Sequence, residues 1–194
     1  MAEPTIMTAT PSEESAVVDV VVLAFSGDPA ARWSYPNPNQ YLRHFPSFVR
    51  AMAGKAFEHG SADYAEGFSG AALWLPPDVH PEEDALTSLV QRTVPESVLE
   101  DVVRVMEQMG RYHLEEAHWY LPLIGVDPSR QGQGHGSALL RHALARCDRD
   151  HLPAYLESSN PRNISLYERH GFERLGTIQA GTSPPIVPMR RKAR

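Results

Sequence analysis

The sequence predicts an α/β fold, and three stretches carry that expectation. A strand-like run, HWYLPLIGV, leads straight into GVDPSRQGQGHGSALL, Gly125 to Leu140, where a turn and a glycine loop open onto an apolar helix. A second strand, PAYLES, is followed by the short helical stretch NISLYERH and a closing strand pair around residues 172–179 and 186–191. Earlier in the chain, SADYAEG and GAALWLPP read as a hairpin whose second strand is stopped by tandem prolines.

The remaining elements follow in order. Residues 5–9 predict a short first strand. In TPSE, Thr10 can cap a helix, Pro11 suits its first position and Glu13 completes a capping box; Val17, Val18, Val21, Val22 and Phe25 then supply an apolar face up to a stop near SGDP. Tyr41, Phe45, Phe48, Val49, Met52 and Ala56 recur every three to four residues as a second helix, which Pro46 must kink or split before it ends at Gly60. From about residue 76 to 117 the pattern is helical, with Val98, Leu99, Val102, Met106 and Met109 as a stripe whose first meaning is core packing. The helix after the glycine loop runs from Ser137 to about Arg149. No repeat or low-complexity linker marks a boundary, so residues 1–194 are expected to form one domain.

Composition narrows the function classes. With 42% hydrophobic and 22% charged residues in 194, a globular core is expected. No apolar run is long enough for a bilayer span, and MAEPTIMTATPSEE lacks the basic and apolar regions of a signal peptide, which predicts a cytoplasmic protein without a membrane partner. The net charge of −6, with lysine only at Lys55 and Lys192, argues against nucleic-acid binding by bulk charge. The basic run RRKAR reads as a solvated tail. Cys147 follows Leu140 and Leu144 at helical spacing and reads as a small buried hydrophobe.

The chemistry lies in the glycine loop. A helix N-terminus leaves amide N–H groups unpaired and carries partial positive charge, so it attracts anions. Glycines before it let the backbone approach oxygen atoms closely and take up positive φ, so that several N–H groups converge on a diphosphate. A dinucleotide fingerprint beginning at Gly132 or Gly134 would need glycine at Ser137 or Leu139 and finds none. A nucleotide P-loop would need Gly-Lys-Ser/Thr, and no lysine is present.

The pattern Gln131-x-x-Gly134-x-Gly136, placed after a strand and Val126-x-Pro128, resembles the pyrophosphate loop of the GNAT superfamily of acyl-coenzyme A dependent N-acetyltransferases. YLESSNPRNISLYERHGFERLG strengthens the resemblance, because a strand, an asparagine, a tyrosine and Gly-Phe follow in that superfamily's order, and LESSNPRNISLYERHGF is also similar to the puromycin N-acetyltransferase group. The likeness covers residues 118–194 well, the first strands and helices loosely, and residues 76–117 poorly.

The resemblance implies a mixed, mostly antiparallel central sheet opened by a parallel splay, flanked by helices on both faces, with residues 76–117 as a helical insertion that caps the acceptor pocket or forms a homodimer surface. It implies acetyl-CoA as co-substrate, with no metal, and a small-molecule amine as acceptor. Backbone groups of Ile124 and Val126 would take the pantetheine arm like an added strand. The phosphates would rest on amides from Gln131 through Gly132, Gly134 and Gly136 to Ser137. Asn163 is either an N-cap or a direct coenzyme contact, or both. Tyr167, one turn further on, is a core tyrosine or, by resemblance, the acid that protonates the departing thiolate. Glu157, near the end of its strand beside the splay, is the base that prepares the amine or an ion-pair partner of a neighbouring arginine. Rival functions are a protein or peptide N-acetyltransferase and a non-catalytic acyl-CoA binding domain.

Three further features are weighed. His135 in the glycine loop reads as a solvated histidine without a catalytic role. His113 and His118, taken as lying on one helix, would stand about 140° apart and so could not share a metal. By resemblance, the aromatic group Trp33, Tyr35, Tyr41, Phe45 and Phe48 walls the acceptor site, with core packing as the alternative.

Overall fold

The structure, a computed structural model, describes residues 4–194. Its strands are β1 (Ile6–Thr8), β2 (Ala62–Ala65), β3 (Gly70–Leu75), β4 (Trp119–Val126), β5 (Ala154–Ser158), β6 (Glu173–Arg174) and β7 (Val187–Arg191). They form a seven-stranded sheet in the order β1-β2-β3-β4-β5-β7-β6. Every neighbouring pair is antiparallel except β4 and β5. The sheet is therefore mixed and mostly antiparallel, as the resemblance implies.

The parallel pair opens partway along. Its ladder joins Trp119 to Ala154, Tyr120 to Tyr155 and Leu121 to Leu156, then stops, although β4 continues to Val126 and β5 to Ser158. Pro122 follows at once, and a proline has no N–H to give to a ladder. On the other side of β4 the register with β3 shifts between Leu73 and Leu75, a bulge opposite the same proline. One residue thus sits where the sheet splays.

Helices cover both faces. On one face lie α1 (Glu14–Ala24), α2 (Pro29–Ser34), α3 (Pro38–Ala53), α4 (Lys55–Glu58), α5 (Glu83–Thr93) and α6 (Glu96–Tyr112), whose apolar residues share a core with Leu73, Leu75, Tyr120, Leu123 and Tyr155. On the other lie α7 (His135–Arg149) and α8 (Ile164–Arg169), packed with Trp74, Trp119, Leu121 and Leu156. Alternate residues of β4 and β5 face opposite cores, as strand geometry requires. The helical segment expected between residues 76 and 117 is α5 and α6.

Local signals explain most boundaries. The expected capping box of Thr10 and Glu13 is present: Glu13 accepts from the Thr10 N–H at 2.8 Å, and the Thr10 hydroxyl also donates to its carboxylate at 2.7 Å. Pro46 does not split α3. The carbonyl it leaves without a helical donor belongs to Leu42, which is 61% exposed, so the lost bond falls on the solvent side of the helix while Tyr41, Phe45 and Val49 stay buried on the other. α7 begins at His135, two residues earlier than its apolar pattern suggests.

Two ion pairs set the orientation of α7. Arg146 reaches fully buried Asp63 on β2, and Arg191 on β7 grips Asp148 with two bonds of 2.7 and 2.9 Å. Cys147 is fully buried, and burial pushes its thiol up to about 12. Among the described residues no helix is long and apolar enough to cross a membrane.

Candidate active site

Between Asp127 and α7 the chain builds its glycine turn from local forces. The Asp127 carboxylate accepts from the N–H and the hydroxyl of Ser129, both at 2.7 Å, which starts the turn Pro128–Arg130. Gly132 and Gly134 follow with φ of +75° and +91°. A side chain at either position would meet no protein atom within 4 Å, so the need for glycine is conformational and the space above the loop is open. The helical bonding of α7 begins with Ala138 N–H to the Gly134 carbonyl, at 3.0 Å. The amides of His135, Gly136 and Ser137 therefore have no acceptor inside the helix. Gly136 has a different reason to be small: a Cβ there would stand 3.3 Å from Leu166 of α8, and its backbone is helical. Ser137 Oγ lies 3.2 Å from His170 Nε2.

A groove of about 740 Å³ runs from this turn into the open end of the β4/β5 pair. Ile124, Val126, Gln131, Gly132, Gly134, Gly136, Ser137, Asn163, Tyr167 and Glu157 all line it, so every candidate site residue of the sequence reading reaches one surface. Asn163 does not cap a helix. Asn160 takes that task, accepting from the Arg162 N–H at 3.1 Å, and the Asn163 side chain is left exposed on the groove. His135 is not a solvated loop residue, since it opens α7, is half-buried, and its Nδ1 is buried without a hydrogen-bond partner. Sequence reasoning missed Arg130, Arg162 and Arg169 on the same groove. Scattered single arginines carry no pattern until the chain folds.

A second cavity, of about 150 Å³, adjoins the first. Its wall is apolar, drawn from α2, α3, α5 and α6 and from Ile186 ahead of β7. Val102, Val105, Met106 and Met109 show that the helical stripe packs the core and also walls this cavity. Trp33, Tyr35, Phe45 and Phe48 contribute too, whereas Tyr41 is core and gives its hydroxyl to the Val22 carbonyl at 2.6 Å. The far side is tied down by Trp33 Nε1 to Thr182 Oγ1 at 3.1 Å and by Gln108 to the Gln179 carbonyl at 2.9 Å.

Five residues line both cavities: Phe25, Asp28, Pro122, Glu157 and Ser159. Glu157 follows the last pair of the parallel ladder and accepts from the Tyr120 hydroxyl at 2.9 Å. Burial raises its carboxyl to about 7, against the opposing effect of the Tyr120 and Tyr155 phenols. No arginine pairs with it among the described residues, so the ion-pair alternative is not what the structure holds. Tyr167 is 4% exposed, packs edge-on to Phe172, and has its phenol raised above the ordinary value by burial and then by the charge of Asp28. Such a phenol stays protonated at neutral pH.

His113 and His118 do meet, contrary to the helical reading. α6 ends at Tyr112, and the turn that follows brings their Nε2 atoms to 3.2 Å. Burial lowers both, His113 to about 4, so the pair is neutral near pH 7 and rests against Tyr120 and Tyr155. Among the described residues no group of three or more His, Cys, Asp and Glu is placed to hold a metal ion.

This sheet, with its single parallel pair opening beside a glycine turn, is the GNAT fold. Residues 96–172 match the Acetyltransferase (GNAT) family. An uncharacterised N-acetyltransferase of Schizosaccharomyces pombe is 40% identical over 75 residues, 39% of this chain, and the match spans only 30% of that protein. A Corynebacterium glutamicum structure described as histone acetyltransferase HPA2 and related acetyltransferase is 28% identical with a TM-score of 0.73, over 100% of this chain and 98% of that one. Two insect structures share the fold at low identity. Arylalkylamine N-acetyltransferase 2 of Aedes aegypti is 11% identical, with TM-score 0.70 and full coverage of both chains. The Drosophila melanogaster polyamine N-acetyltransferase is 14% identical, with TM-score 0.67 over 98% of this chain and 100% of that one.

Proposed function

We propose that the protein transfers an acetyl group from acetyl-CoA to a small-molecule amine by direct attack. The observation that carries this reading is the position of Glu157, a carboxylate with its pKa near 7 where the groove meets the apolar cavity. The family match supports acyl-CoA chemistry, and fold neighbours named for small amines agree with the acceptor class.

In this reading the diphosphate lies on the free amides of His135, Gly136 and Ser137 and on the turn from Gln131 to Gly134, with Arg130, Arg162 and Arg169 around it. The pantetheine arm lies along the unpaired stretch of β4, where Ile124 and Val126 offer backbone groups, and Asn163 contacts it from α8. The thioester then reaches the junction. Glu157 removes a proton from the ammonium, the neutral amine attacks the carbonyl carbon, and the tetrahedral intermediate collapses with loss of the thiolate. Tyr167 gives that sulfur a proton, and the second proton that the acylated nitrogen must lose returns to the Tyr167 phenolate through solvent. No covalent enzyme intermediate is needed, which suits a site whose cysteine is buried elsewhere. α5 and α6 form part of the same catalytic unit, since they complete the acceptor cavity.

Thiol release from acetyl-CoA, followed against a panel of amines that includes polyamines, aminonucleosides such as puromycin, and short peptides, tests the reading. Turnover of a small amine is the expected result. Saturable acetyl-CoA binding with no thiol release for any amine would leave an acyl-CoA binding protein, and preference for a peptide would give the protein-acetyltransferase alternative.

A further inference from the structure

The acceptor cavity has a polarity that the fold alone does not dictate. Of the residues lining it, Asp28 and Glu157 are the only charged ones, and both stand at its junction with the groove, together with Ser159. Beyond that mouth the wall is aromatic and aliphatic, from Phe45 and Phe48 to Val102, Val105 and Ile186. A cation placed deep in such a wall would lose its hydration and find no counter-charge. A cation at the mouth would find two carboxylates.

The two carboxylates are not equivalent. Asp28 is 7% exposed and caps α2, its Oδ1 accepting from the Ala30 and Ala31 N–H groups at 3.0 and 3.1 Å. Its Oδ2 accepts from the Ser159 hydroxyl at 2.7 Å. Burial raises both carboxyls, that of Asp28 against the Ala30 and Ala31 N–H groups and the Ser159 hydroxyl, and that of Glu157 against the Tyr120 and Tyr155 phenols. Carboxylates in such different settings can divide the work: the one fixed by three donors holds a cation in place, and the one with its pKa near 7 exchanges its proton.

We infer that the acceptor is a monoamine carrying one compact apolar group about the size of a single ring, its ammonium seated by Asp28 beside Glu157 and its apolar body filling the cavity formed by α2, α3, α5 and α6. The inference rests on the acetyltransferase reading for the direction of the amine, and on the cavity for its class. An engineered apolar cavity of about 150 Å³ is known to take up benzene, so the volume here matches one ring. Met52, Met106 and Met109 in the wall can reshape around substituted rings. A diamine, polyamine or guanidino-amine would have to put its second cation against that wall, and a nucleoside exceeds the volume. Asp28 is then a specificity residue that sequence reading passes over, because SGDP is already explained as a helix stop.

The test pairs turnover with binding. Thiol release from acetyl-CoA is measured with 2-phenylethylamine, ethylamine, agmatine, spermidine and puromycin, and binding of 2-phenylethylamine to the CoA-bound protein is measured by calorimetry. The expected result is a kcat/KM for 2-phenylethylamine at least about tenfold above that for agmatine, spermidine or puromycin. Asp28→Asn keeps a capping side chain and so the fold; it should weaken 2-phenylethylamine binding about tenfold or more while CoA binding is unchanged. Met106→Trp should cut kcat/KM for 2-phenylethylamine and spare ethylamine, which no purely structural effect would do. Thiol release with agmatine, spermidine or puromycin preferred overturns the inference and leaves the acetyltransferase reading intact. Tight 2-phenylethylamine binding that Asp28→Asn weakens, without thiol release for any amine, upholds the seat and overturns the catalytic reading. Absence of both overturns both.

Discussion

The two cavities that meet at Glu157 are built in opposite ways. The groove proposed for the coenzyme takes its glycine edge from one unbroken stretch, Gln131 to Ser137, with unpaired backbone amides and two glycines at positive φ. The acceptor cavity draws side chains from four helices, one strand pair and the segment before β7, and offers no backbone motif at all. A ligand shared by many enzymes can be held by main chain, which every sequence possesses, whereas a particular acceptor must be distinguished by side chains from wherever the fold brings them. Two carboxylates, Asp28 and Glu157, stand on the boundary, which is where the proposed chemistry falls.

The largest effect is expected on that boundary. Glu157→Gln keeps an acceptor for the Tyr120 hydroxyl and should lower kcat/KM for the amine by about a hundred- to ten-thousandfold with CoA affinity unchanged. Because burial lifts the carboxyl from 4.5 to about 7, the wild-type rate should rise as pH passes through about 7, where the base form appears, and the variant should lose that rise. The stability effect has the opposite sign. An acid with a raised folded pKa favours folding below its unfolded value, and that contribution is lost as pH rises through the folded one. Glu157→Gln should therefore raise Tm at pH 8 by about 2–4 °C and leave it little changed at pH 4. A pH-independent loss of activity would assign Glu157 to amine binding alone.

Tyr167→Phe tests whether the thiolate needs its proton from the α8 side of the groove. A fall in kcat of about tenfold or more, with CoA binding preserved, is expected from stopped-time thiol assays. Normal turnover would make Tyr167 a core residue of the α7 face, where it already packs against Phe172.

Gly134→Val separates the two cavities. Its φ of +91° is strained for a β-branched residue, and the new methyls would stand in open space above the loop. CoA should then no longer raise Tm, while the cavity and its amine affinity persist. Undiminished stabilisation by CoA in a folded variant would remove this turn from the coenzyme site.

The smallest effect belongs to the rim. Arg162 is exposed, so Arg162→Gln should weaken CoA binding by no more than about fivefold, and the difference should shrink as salt is raised. A larger, salt-insensitive loss would mean that Arg162 holds a phosphate in a dry contact.

Legibility follows the same division. GVDPSRQGQGHGSALL announces a strand, a turn and a helix N-terminus because each signal lies within a few residues of the group it serves. The roles proposed for Glu157 and Tyr167 come from their place after a strand and within a short helix, and the fold puts both on the groove. Asn163 is half-legible: its exposure on the groove fits a coenzyme contact, but the cap belongs to Asn160 three residues earlier. His113 and His118 mislead, since a helix that stops at Tyr112 changes their separation from a helical angle to a turn. Pro46 misleads in the other direction, because where its lost bond faces depends on which side of α3 meets water.

By itself the sequence determined what short-range forces control: the alternation of strand and helix, the glycine conformations of the turn, and the orphan amides that open α7. Only the tertiary structure decided that Pro122 ends the β4/β5 ladder, that Asp28 and Ser159 join from opposite ends of the chain, and that the Val102 to Met109 stripe faces a cavity while it packs the core. The physical reason is range. A turn or a cap is a contact between neighbours whose partners are written beside it, whereas burial and cavity shape sum over residues far apart in sequence, and those sums exist only once the sheet has ordered its strands.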